Sequence, residues 1–114
     1  MKQESIDYLD KVACLANANM AYHRLTPASR RSEEEAGAAL LMSAYLEIYE
    51  HWQRSGPGTE PPSERIYIAA ETCVQMRNQL ETVDRDQWPD EAEGLFQMMT
   101  AFMFLFKHMY VPQN

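Results

Sequence analysis

A chain of 114 residues, 46% of them hydrophobic and 24% charged, has room for one folded domain with a core of its own and needs no disulfide or metal staple. Seventeen acids against ten bases leave a formal charge of -7. With the bases scattered rather than gathered on one face, that charge repels a phosphate backbone and argues against direct nucleic-acid binding.

The periodicity predicts four helices and no strand. In the first, Ser5 is placed to cap, and Ile6, Leu9, Ala13, Ala16 and Met20 recur at three- and four-residue steps, the spacing that puts side chains on one helical face. Tyr8, Val12, Leu15 and Tyr22 widen that face, as expected of a helix packed against two neighbours. The second helix has two candidate starts. One is Thr26 before Pro27, with proline at the first helical position; the other is Ser32 with Glu35 three residues on, a reciprocal capping box. A short turn followed by the main helix is expected, with Ala36, Leu40, Leu41, Ala44, Ile48 and Trp52 facing inward and Gly56 as the stop.

The segment SGPGTEPPS, residues 55–63, cannot sustain a helix because of its prolines and glycines. It is read as a linker between a helical hairpin over 5–54 and a second over 64–111, the two forming one domain over 1–114, since neither pair alone could bury its apolar face. The third helix is expected to start near Ser63 and end around Asp84, burying Ile66, Ala69, Ala70, Cys73, Met76, Leu80 and Val83. Residues 86–90, Asp-Gln-Trp-Pro-Asp, read as a turn and a helix start.

The last helix differs in kind, with apolar residues on every side from Leu95 onward. It holds all four phenylalanines of the chain and four of its eight methionines. A helix apolar all round must be covered all round, so the fold expected is an all-α, up-down four-helix bundle that dimerises through its C-terminal helix. The interface residues would be Leu95, Phe96, Met98, Met99, Phe102, Met103, Phe106 and Met109. The longest uncharged apolar stretch, Gly94 to Phe106, falls short of the roughly 17 residues a membrane span needs.

Cys14 and Cys73 lack CxxC or metal-ligand spacing and read as buried or half-buried thiols of a reducing compartment. Glu4, Asp7 and Asp10 stand where a secretory signal would need a cationic end and an apolar run, so a cytoplasmic location is expected.

Chemistry finds little support. A carboxylate site for a hard cation would draw on Glu34 or Glu35 with Glu47 and Glu50, but the third helix returns Glu71 and Glu81 at an unhelpful separation. The Glu-x-x-His pairs of a di-iron bundle are missing, and His23, His51 and His108 read as helix-end or snorkelling surface residues. Nor do the four glycines form a nucleophile elbow, P-loop or dinucleotide fingerprint. No catalytic, cofactor or metal residue is therefore assigned, and the expected function is non-enzymatic: an adaptor, chaperone-like or regulatory module that binds another protein. One alternative uses the acidic stretch Glu81, Asp84, Asp86, Asp90, Glu91 and Glu93, set against the lone Arg85, as a docking patch. A small inhibitor of the kind phages and plasmids encode could block a nucleic-acid-binding protein that way. A metal-dependent phosphohydrolase built on Glu47 and Glu50 is the remaining alternative.

Overall fold

The computed structural model describes residues 1–25, 33–56, 61–88 and 90–110, and the side chains of these except at 21–25, 33–36, 90 and 91. Four α-helices make up the described chain: α1 (Gln3–Leu25), α2 (Glu33–Ser55), α3 (Glu64–Glu81) and α4 (Asp90–Tyr110), with a single 3-10 turn, Arg85–Gln87, between the last two. The all-α expectation holds. Among the described residues no helix is long and apolar enough to cross a membrane.

Helix boundaries follow local chemistry, not always as expected. Ser5 lies inside α1 rather than capping it, because the Lys2 carbonyl already accepts from the Ser5 and Ile6 amides, both at 3.1 Å, and closes the first turn two residues earlier. The candidate starts at Thr26, Pro27 and Ser32 lie outside the described residues. At the far end of α2, the Gly56 amide donates to the Trp52 carbonyl and Gly56 takes a φ of 72°, the left-handed conformation that lets a glycine terminate a helix. Ser63 caps α3 as expected, its hydroxyl accepting from the Ile66 amide at 3.3 Å. α3 stops at Glu81, about a turn early. There the Thr82 hydroxyl donates to the Gln79 carbonyl, while the Trp88 indole donates to the Leu80 and Val83 carbonyls at 3.3 and 3.1 Å. These donors satisfy carbonyls that a longer helix would have used itself, and Val83 is left exposed rather than in the core.

α2 and α4 form the central pair, each packing against the other three helices, while α1 and α3 flank them and barely touch one another. That arrangement covers much of α4 within the chain. Met98, Met99, Phe102 and Met109 are buried within the single chain, and Leu95, Phe96, Met103 and Phe106 are half-buried against the same core. Its three neighbours cover most of the helix, and the remaining side is a stripe of Gln97, Thr100, Phe104 and Lys107. Phe104 is the large apolar residue on that stripe. Each large apolar side chain buried in this way stabilises the fold by roughly 1.5–3 kcal/mol.

The other helices are simpler. α1 buries Leu9, Val12, Ala13 and Ala16, one stripe at helical spacing, and this leaves both Leu15 and Cys14 exposed rather than inside. Leu41, Ala44, Tyr45 and Ile48 of α2 reach the centre, and α3 contributes Ile66, Ala69, Ala70 and Cys73. Burial pushes the Cys73 thiol up to about 12.

Candidate functional site

Between α1, α2 and α4 lies an open, mostly apolar cleft of about 420 Å³, lined chiefly by Val12, Leu15, Ala38, Met42, Leu95 and Met98. Its floor is the edge of the core, since Val12, Met42 and Met98 are nearly buried, and its rim is Leu15, which is 53% exposed. Small residues make the hollow. Ala38 and Gly94 stand where larger side chains would fill it, and a Cβ at Gly94 would meet no atom within 4 Å. Two of the lining residues are methionines, whose flexible thioethers repack around different shapes at low cost.

A second, smaller cavity of about 110 Å³ sits where α2, the start of α3 and the end of α4 meet, and it is polar. Glu47, His51 and Arg54 of α2 line it together with Ser63, Ile66 and Tyr110. His51 is only 9% exposed, with its Nδ1 3.4 Å from the Tyr110 hydroxyl. It is thus an interior residue of the α2–α4 seam and not the surface histidine expected. His108 is half-buried, and the His23 side chain lies outside those described.

The carboxylates do not assemble a cation site. Glu47 turns toward α3, where its Oε1 accepts from the Ser63 hydroxyl at 3.1 Å and its Oε2 lies 4.0 Å from Arg65 Nη1, while Glu50 points to solvent. Among the described residues no group of three or more metal-ligating side chains comes together. Compared with protein-family models, with curated proteins and with solved structures, the chain matches none.

The acidic stretch is divided by its geometry. Glu81, Asp84 and Asp86 are exposed, but Glu93 is bound by Arg85, whose Nη2 and Nε donate to its two oxygens at 2.5 and 3.3 Å. That hydrogen bond and the guanidinium charge hold the Glu93 carboxyl below its usual range. Arg85 also lies 5.5 Å from the centroids of both the Trp88 and Phe96 rings, so the ion pair and the aromatic stack together fasten the α3–α4 connection. The Asp90 and Glu91 side chains lie outside those described.

Of the expected interface residues, Leu95 and Met98 line the apolar cleft, and Met99 and Phe102 are wholly inside. Of the cleft's other walls, Val12 and Leu15 were legible in the sequence only as stripe residues and Met42 was not singled out at all, because a concavity between helices depends on the size of what faces them. The polar cavity likewise gathers residues from three helices that no spacing along the chain connects.

Proposed function

We propose that this chain is a non-enzymatic protein-interaction module, an adaptor, chaperone-like or regulatory protein. It receives apolar side chains of a partner segment in the cleft between α1, α2 and α4. The observation that carries the reading is the cleft itself: about 420 Å³, apolar, open, and rimmed by the large exposed side chain of Leu15. Exposed apolar concavities with adaptable methionines suit the anchor residues of an amphipathic partner helix. In this reading the four helices run up and down as a bundle. Supporting contacts join Tyr45 of α2 to Leu9 of α1, Ser63 before α3 to Glu47 of α2, and Tyr67 of α3 to Phe106 of α4. The partner is assigned to the cleft; a pairing of two copies through α4 would use Phe104, the large apolar side chain that helix exposes.

The test is capture from the native cell with wild-type chain and with Leu15→Asp, bound proteins being identified by mass spectrometry. The expected result is one partner retained by wild type through about 0.5 M salt, where charge contacts between exposed groups are screened, and lost by the variant with unchanged melting. Retention by Leu15→Asp would sink the reading. A second reading, an inhibitor acting through its acidic surface, is favoured by the exposure of Glu81, Asp84 and Asp86. It predicts the opposite pattern: a partner released by salt and by charge reversal at those three residues, and indifferent to Leu15.

A further inference from the structure

We propose that two copies of this chain pair through the two ends of α4, the acidic turn after α3 in each copy seating in a basic-rimmed hollow beside the last turn of α4 in the other. The hollow, about 490 Å³, opens between the start of α1 and the end of α4 and is lined by Met1, Lys2, Ser5, Phe104, Lys107 and His108. It shares no lining residue with the apolar cleft, so the proposal is independent of the partner assigned there. Met1 and Phe104 give it an apolar surface, each close to half exposed, and the exposed Lys2 and Lys107 supply its charge. Among the described residues neither lysine is ion-paired.

The surface that complements this hollow is on the same chain. Glu81, Asp84 and Asp86 of the turn after α3 are all exposed, and Val83, 44% exposed, stands among them. One surface is thus an apolar hollow among bases and the other an apolar knob among acids, complementary in both charge and relief. Arg85, within the same turn, is already taken by Glu93 and does not neutralise its neighbours. The net charge of -7 repels a second copy in most orientations, so the approach that sets acids on lysines is the favoured one.

Reach decides between one chain and two. The acidic turn is tied to the first turn of α4 through Glu93, whereas Lys107 and His108 are in the last turn. A helix of 21 residues is about 31 Å long, so the turn cannot enter its own hollow. Two copies laid antiparallel along α4 bring each turn to the other's hollow, and the same contact made twice closes the pair as a dimer.

The experiment is sedimentation equilibrium of the full chain over about 10–500 µM in about 0.1 M salt. Lys2→Glu with Lys107→Glu makes the basic-end variant, and Asp84→Lys with Asp86→Lys the acidic-end variant. All four positions are exposed, so both variants should fold, which thermal melts verify. Wild type is expected to pass from monomer to dimer over that range, and each variant alone to pair at least about tenfold more weakly. An equimolar mixture of the two variants should recover pairing to within about threefold of wild type, because every acid then meets a lysine again. The proposal is overturned if wild type stays monomeric throughout or assembles beyond the dimer. It is equally overturned if either variant pairs as well as wild type, or if the mixture pairs no better than its components.

Discussion

The hydroxyl of Tyr45, on α2, donates to the backbone carbonyl of Leu9, on α1, at 2.7 Å, and both residues are fully buried. A phenol can lie in an apolar core only if its oxygen finds such a partner, so this bond, with the one the Tyr49 hydroxyl donates to Asp10, helps set the register between the first two helices. Burial raises the Tyr45 pKa far above its ordinary value, with the nearby Tyr49, Tyr8 and Asp10 adding to the effect. Tyr45→Phe is expected to lower stability by about 1 kcal/mol, the usual net worth of one such bond. Urea denaturation measures it, and an unchanged midpoint would show that the bond does not hold the register.

Phe102 and Phe104 stand two residues apart on α4, one with no exposure and the other 44% exposed. Phe102→Ala should cost about 3–5 kcal/mol, as large-to-small changes in a packed core do. Phe104→Ala should stay within about 0.5 kcal/mol, as surface changes do. Equal losses measured in dilute protein would mean that α4 is covered on a further side, by another copy of the chain.

The two thiols should behave oppositely. Cys14 is exposed and Cys73 is buried with its pKa pushed up to about 12, so a thiol reagent at neutral pH should modify one cysteine in the native protein and the second only after unfolding. The same shift gives a pH dependence. The folded state keeps the Cys73 proton more tightly than the unfolded chain does, so its contribution is intact below the unfolded value of about 8.5 and declines as pH rises toward the folded one. Tyr49, raised to about 12 chiefly by burial and then by Asp10, adds a loss at the upper end of that range. Denaturation midpoints from pH 7 upward should fall above about 9 and fall less steeply in Cys73→Ala.

At the two ends of the α2–α3 connection, small changes should be felt for different reasons. Ser63→Ala removes a cap bond to Ile66 and a donor to Glu47, and is expected to cost about 1–2 kcal/mol. Gly56→Ala forces a side chain into a φ of 72°, at about 1 kcal/mol, although nothing within 4 Å would obstruct the added Cβ. Thermal melts of both variants check this, and a neutral Gly56→Ala would mean that the α2 terminus relaxes.

Much of the architecture is readable from the residues in order. Ser63 before an apolar period, Gly56 after one, and the prolines around residue 60 act through their own backbone preferences, and the structure keeps Gly56 and Ser63 at the ends of α2 and α3. Two of the misreadings share one cause. Ser5 as a cap and Asp84 as the end of α3 were each displaced by a hydrogen bond involving residues outside the candidate's own short motif, the Lys2 carbonyl in one case and the Trp88 indole in the other.

By itself, the order of the amino acids determined that the chain is helical and where its apolar stripes lie, because helix propensity, capping and period act over a few residues and need no neighbour. What lay across from each stripe was decided only in three dimensions. Which sides of α4 are covered depends on α1, α2 and α3 packed around it. His51 looked like a surface residue until Tyr110 lay beside it, and neither the cleft at Leu15 nor the cavity at Glu47 exists on any single helix. Burial and concavity are properties of facing surfaces, and the linear sequence does not state which surfaces face.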